Sequence, residues 1–163
     1  MSKRKKDNVA SREPVIENRK ARHDYNITDT LEVGIALQGS EVKAVRASLV
    51  SLAEGFIMAR RDPCKLVLHQ VNIGEYGPAG RMSHAAVRNR VLLAHRKEIE
   101  KLAIALETKG VSLVPLKMYF KDGRAKLLLG VGEGKGHQDK RNTIKEREAR
   151  RDIDRAMSKR MKV

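Results

Sequence analysis

Aromatic rings are scarce in this chain. Its 163 residues include no Trp, three Tyr and two Phe. A surface that strings unpaired bases along exposed rings needs more, since each stacked base contributes about 1–3 kcal/mol. Cysteine is scarcer still. The single Cys64 excludes a disulfide framework within one chain and fits a reducing compartment. It stands in the turn sequence Arg61-Asp62-Pro63-Cys64-Lys65, without the neighbouring base and orienting group that make a thiol a nucleophile. No apolar run approaches the roughly 20 residues that cross a bilayer, and the basic stretches lack the interleaved Trp, Phe or Leu of an interfacial helix. Acidic residues are in deficit: 20 Asp and Glu stand against 35 Lys and Arg, a formal net charge of +15. An excess of that size draws a chain to a polyanion. A cytoplasmic nucleic-acid binder, not a membrane protein, is the class these absences leave.

Cations gather at both ends. Residues 1–13, with Ser2-Lys3-Arg4-Lys5-Lys6, read as a disordered basic arm; Asp7 and Asn8 stand where a secretory signal would turn apolar. Residues 14–135 carry the foldable pattern. Tyr25 and Ile27, then Leu31, Val33, Ile35 and Leu37, alternate with period two, as in a half-buried strand. Ser40 is placed to cap a short helix bearing Val42, Val45 and Leu49. Phe56–Ala59 and Leu66–Leu68 predict strands either side of Asp62-Pro63. Val87, Val91, Leu92, His95, Ile99, Leu102 and Leu106 fall on one stripe of a long helix closed by Lys109-Gly110, with His95 as a core histidine. Val111–Phe120 and Arg124–Val131 flank Asp122-Gly123, a strong hairpin signal, and Pro115 puts the first of them at an edge or bulge. About six short strands with one long and one short helix predict a mainly β fold with flanking helices, an antiparallel barrel of the oligonucleotide-binding type. Residues 136–163 make a basic C-terminal tail. Ile153, Met157 and Met161 give it one narrow apolar stripe, so it is expected to be disordered when free and helical when bound.

Gly130-Val131-Gly132-Glu133-Gly134-Lys135-Gly136 looks like a phosphate loop but lacks its spacing. Three residues rather than four separate Gly130 from Gly134, and Gly136 replaces the hydroxyl residue that would hold magnesium. The run reads as a flexible hinge. His23, His69, His84, His95 and His137 form no recognised metal spacing, so neither metal nor cofactor is expected. Asn18-Arg19-Lys20-Ala21-Arg22-His23-Asp24-Tyr25 packs three cations, a histidine and a carboxylate into eight positions before the first long strand. His23, between Arg22 and Asp24, suits hydrogen bonding to RNA or structural packing. Proton transfer in a small metal-independent ribonuclease is a rival, which needs a second acid or base the sequence does not locate. Many cations and few rings predict binding through the phosphates and shape of a folded RNA.

These motifs are linked. Asn18–Tyr25, Glu32-x-Gly34, Leu37-x-Gly39-x-Glu41-Val42-Lys43-x-x-Arg46, Arg88-x-Arg90, Leu113-Val114-Pro115-Leu116 and Gly134-Lys135-x-x-x-Asp139-Lys140-Arg141 closely resemble the small protein B family, the SsrA-binding proteins of bacterial trans-translation. The likeness covers roughly residues 14–155. It implies an oligonucleotide-binding-type barrel without catalytic activity that grips the tRNA-like domain of transfer-messenger RNA and delivers it to stalled ribosomes. The tail is implied to enter the messenger channel beside the decoding centre of the small subunit, so that incomplete products are tagged. Position by position, the resemblance ties Glu32, Leu93 and Lys126 to RNA binding and Asp139, Lys140 and Arg141 to the ribosome. The expected RNA-binding set is Asn18, Arg19, Lys20, Arg22, His23, Glu32, Leu93 and Lys126. The expected tail set is Lys135, His137, Asp139, Lys140 and Arg141, on a chain expected to be monomeric. Two departures stand out. Gly136 replaces the family's usual second lysine, and Gln138 replaces the ring before Asp-Lys-Arg, with His137 displaced by one position. A general oligonucleotide-barrel or ribosome-associated RNA-binding protein is the alternative, sharing the charge and barrel without needing the linked terminal motifs.

Overall fold

The computed structural model describes residues 13–77 and 84–136, with residues 139, 148, 149, 151–153, 155 and 157 of the tail. The elements in chain order are β1 (Ile16–Glu17), α1 (Arg19–Asp24), β2 (Tyr25–Ile35), α2 (Gly39–Arg46), β3 (Val50–Ser51) and β4 (Phe56–Arg60). Then come β5 (Lys65–His69), β6 (Asn72–Ile73), β7 (Arg90–Leu93), α3 (Arg96–Glu107), β8 (Val111–Lys121) and β9 (Arg124–Gly134). Antiparallel pairing runs β8-β4-β5-β7-β2-β9 and returns from β9 to β8, which closes a six-stranded barrel; β1 adds to the edge of β8, and β3 and β6 pair separately. Closure leaves the main strands no open edge to aggregate through.

Alternation fills the barrel. Val33, Ile57, Leu66, Leu68, Leu113, Met118, Leu127 and Leu129 are all nearly inaccessible. The two longer helices close it, α2 contributing Ala44 and Val45 and α3 contributing Ile99 and Leu102 to the same core. The hairpin β8–β9 turns at Asp122 and Gly123, both with positive φ, which is the backbone a two-residue turn requires and glycine adopts freely.

Bulges give two strands a second face to serve. In β8 the register shifts between Pro115 and Lys117, and in β2 between Ile27 and Asp29. An extra residue reverses which side the alternate positions face. Leu113, Met118 and Phe120 therefore enter the barrel core, while Val114 and Leu116 join Ala21, Tyr25, Ile27 and Leu128 in a smaller cluster beneath α1. Glycines permit the close approach: a Cβ on Gly130 would stand 2.8 Å from Leu116 Cδ1, and one on Gly132 2.8 Å from the Asn26 carbonyl oxygen. Gly130, Gly132 and Gly134 thus belong to β9, not to the hinge the sequence suggested.

Three other expectations change. The stripe from Val87 to His95 is not helical. β7 occupies Arg90–Leu93 with Arg90 and Leu92 inward and Val91 and Leu93 outward, and the helix starts only at Arg96. His95 is the exposed N-cap of α3 rather than a core histidine, its N–H donating to Glu98 at 2.8 Å. Gln38, not Ser40, caps α2, where the Glu41 side chain accepts from the Gln38 N–H. The described tail positions, Ile153 and Met157 among them, have helical backbone and are exposed. Residues 1–12, His137, Lys140, Arg141 and Met161 lie outside the described residues.

Candidate nucleic-acid interface

Sheet register brings two sequence-predicted residues, Leu93 and Lys126, into one row. Gly34 of β2 pairs with Leu93 of β7 on one side and with Lys126 of β9 on the other, and Lys126 in turn faces Tyr119 of β8. Directly opposed positions point to the same side of a sheet, so Leu93, Lys126 and Tyr119 stand together outside the barrel. Leu93 is 60% exposed. Gly34 leaves a notch between its neighbours, since a Cβ there would lie 3.2 Å from Leu93 Cβ. A shallow groove lined by Gly34, Leu37, Val42, Leu93, Arg124 and Lys126 runs beside this row.

Glu32, two residues before Gly34 on the same side of β2, completes the cluster. Tyr119 donates its hydroxyl to Glu32 Oε2, while Lys121 Nζ and Lys126 Nζ lie 3.5 and 3.7 Å from Oε1. Among cations that suit phosphates, a carboxylate accepts donors instead, from a guanine edge or a 2′-hydroxyl. The Tyr119 hydrogen bond, working against partial desolvation and aided by Lys121 and Lys126, holds the Glu32 carboxyl below its ordinary value of 4.5. What this charge adds to stability is complete above that value and lost as pH falls through the lower, folded one. Desolvation first, and Glu32 second, push the Tyr119 hydroxyl from 10.0 to about 12. It therefore remains a donor at neutral pH, and its contribution is lost as pH rises from 10 to about 12. Glu32→Ala is expected to weaken RNA binding with little change in melting temperature, because the cluster is partly solvated. Tyr119→Phe should do the same to a smaller extent. A large fall in melting temperature at unchanged affinity would assign the pair to the fold.

A second basic surface forms around α1. Asn18 caps this helix by accepting from the Ala21 N–H at 3.0 Å, and its Nδ2 donates to the Leu52 and Pro115 carbonyls at 2.9 and 3.0 Å. The side chain is 6% exposed with both amide protons engaged. That corrects its expected place among the RNA contacts: Asn18 holds the helix, and the helix presents the cations. Arg19, Lys20 and Arg22 are exposed. Lys20 pairs with Glu54 at 2.7 Å, and His23 Nδ1 lies 3.0 Å from Asp24 Oδ1, a local packing contact with its own neighbour. Lys135 joins this surface from the far end of the chain. Its N–H donates to the Asp24 carbonyl at 2.8 Å and its Nζ to the Arg22 carbonyl at 3.3 Å. The two terminal motifs therefore meet at one corner of the barrel. Asp139 is exposed beyond it.

An ion-pair network joins α2 to β7. Glu41 and Arg90 are completely buried; Arg90 Nε donates to Glu41 Oε1 at 2.8 Å, and Arg88 Nε to the same oxygen at 2.8 Å. Arg90 also donates to the carbonyls of Val71, Arg88 and Ala86. This ties α2 to β7, the strand whose pairing with β2 sets Leu93 opposite Gly34. Sequence reading missed Tyr119, although the Asp122-Gly123 turn by itself fixes the register that sets Tyr119 opposite Lys126. Among the described residues, no three His, Cys, Asp or Glu converge on a metal position, and no helix is long and apolar enough to cross a membrane.

The chain is similar to known proteins along most of its length. The family described as SmpB protein matches residues 15–159. An SsrA-binding protein of Limosilactobacillus fermentum is 50% identical over 143 residues, 88% of this chain and 90% of its own length. One of Levilactobacillus brevis is 49% identical over 156 residues, 96% of this chain and 95% of its own length. A solved structure described as "tmRNA-SmpB: a journey to the center of the bacterial ribosome" superposes with a TM-score of 0.65 at 43% identity, covering 76% of this chain and 86% of that one. A closed barrel, a carboxylate–lysine–leucine row outside it and basic motifs joined at one corner thus accompany extensive identity along the chain, and this protein belongs to the SmpB family.

Proposed function

We propose that the barrel binds the tRNA-like domain of transfer-messenger RNA and carries it to ribosomes stalled without a stop codon, where the basic tail occupies the messenger channel at the decoding centre. The observation that carries the reading is the row Leu93–Gly34–Lys126 with Glu32 beside it. It combines an exposed apolar ledge, a phosphate-seeking cation and a fixed acceptor, which together suit the loops of a folded RNA better than a featureless strand. The Arg19, Lys20 and Arg22 surface with Lys135 adds sequence-independent attraction, and the tail set Lys135, His137, Asp139, Lys140 and Arg141 acts on the ribosome. The protein works by binding and positioning, not by turnover, and trans-translation then tags the incomplete product.

Salt titration and competition test this. Log K for a transfer-messenger RNA fragment should fall linearly with log[salt], with a slope of about 0.7–0.9 per phosphate contacted. A folded tRNA-like domain should compete far better than an unstructured homopolymer of equal length. Equal competition would return the general oligonucleotide-barrel reading.

A further inference from the structure

The structure also carries a ring platform outside the row described above. Phe56 of β4 is cross-strand partner to His69 of β5, and their rings lie stacked with centroids 5.0 Å apart and planes 9° from parallel. Phe56 faces outward, 38% exposed, because Ile57 beside it takes the inward position. The Phe56 ring lines a cleft between α1 and the start of β4, whose wall also includes Tyr25, Val114, Gly55 and Asp24, with Lys20 and Glu54 at its rim. The Lys20–Glu54 pair spans that rim at 2.7 Å with both side chains largely exposed. An exposed ion pair contributes little and exchanges readily for another anion.

We propose that this cleft takes one unpaired nucleobase of the bound RNA, stacked on Phe56, with Lys20 leaving Glu54 for the adjoining phosphate. His69 backs the ring and holds its plane, so little side-chain entropy is lost when a base docks. Arg19 and Arg22, exposed on the same short helix though outside the cleft's lining, outnumber together with Lys20 the two lining carboxylates Asp24 and Glu54, and that excess favours a nucleotide over an apolar peptide side chain. The cleft shares Tyr25 with a neighbouring groove lined by Arg22 and Lys135. This inference rests on the RNA-binding reading above and adds a base contact to it.

The test uses the full chain and a transcript of the tRNA-like domain carrying 2-aminopurine at each unpaired position in turn. One position should be quenched on binding by the wild type and by Phe56→Tyr, which keeps the ring. Phe56→Ala should abolish that quenching and weaken binding about tenfold or more, as expected for a lost base stack. Phe56→Leu keeps apolar volume without the ring and should behave like Phe56→Ala; it decides the matter should the alanine variant fold poorly. Lys20→Ala should lower the salt slope by about one contact. Wild-type affinity in Phe56→Leu, with no position quenched by the parent protein, overturns the base site alone. Failure of the wild type to bind the folded transcript overturns the RNA-binding reading, and this site with it.

Discussion

Deleting residues 137–163 is expected to abolish tagging on stalled ribosomes while leaving a folded protein that still binds its RNA. The cut falls beyond every element of the barrel. β9 ends at Gly134, and the last backbone hydrogen bond that ties it down is the one from Lys135 to Asp24. Among the described residues the buried hydrophobic core lies between Ala21 and Leu129, and the truncation removes none of it. Some affinity should be lost with the tail's cations, because counterion release scales with the phosphates neutralised. Tagging should go entirely, since on the proposed function nothing would then fill the messenger channel. Changing Asp139, Lys140 and Arg141 together to Ala should reproduce most of that loss, measured in a reconstituted tagging assay. Circular dichroism of the isolated tail should show little helix in water and more on ribosome binding or in a helix-promoting solvent. A truncated protein that tags at the normal rate would refute the division of labour between barrel and tail.

The largest effect on stability is expected at Glu41. Its removal leaves the Arg90 guanidinium buried without a counter-charge, a change that costs about 3–5 kcal/mol. In a chain of this size that corresponds to a fall in melting temperature of about 2–4 °C for each kcal/mol. Arg88→Ala should cost less, because Arg88 is partly exposed and Arg90 would still hold Glu41. Replacing Glu41 and Arg90 together by apolar residues should be milder than Glu41→Ala alone, because no charge is then left stranded. Acid should act on the same link. Burial alone would raise the Glu41 carboxyl, but hydrogen bonds from Arg88, the Gln38 N–H and Arg90 outweigh it and hold the group below 4.5. Its contribution is therefore complete above that pH and disappears as pH falls through the lower, folded value. Denaturant melts at several pH values would show it. Equal stability of Glu41→Ala and the wild type at neutral pH would contradict the role assigned to this pair.

The network also explains where the sequence misleads. A strand phase is read by assuming that charged residues point outward. β7 breaks that assumption, since Arg90 points in and Val91 points out; with the phase hidden, the apolar residues fit a helical stripe equally well. Pro115 signalled the bulge in β8, but the bulge in β2 hides in another way. Tyr25, Ile27, Leu31 and Val33 all fall on odd numbers, interrupted only by Asp29, yet the first two face the cluster beneath α1 and the others the barrel. Only pairing with a neighbouring strand reveals the reversal. The hairpin at Asp122-Gly123 and the β4–β5 pair were legible because turn chemistry and alternation agree there. For the interface, resemblance supplied Glu32, Leu93 and Lys126, but their union depends on Gly34, a residue with no side chain to announce it. Asn18 was misplaced for a related reason: a polar residue in a basic motif reads as a contact until the backbone carbonyls it satisfies are known.

The bond between Lys135 and α1 has a mechanical consequence. A tether delivers its far end at an effective concentration set by its length and by how firmly its near end is held. Here the near end is clamped twice to the helix that presents Arg19, Lys20 and Arg22, and only Gly136 lies between that clamp and the rest of the tail. The barrel therefore acts as a ruler. On the proposed function, the distance from the RNA surface to the ribosomal end of the tail is counted from a fixed origin, and each residue added after Gly136 lengthens the arm without shifting where it begins.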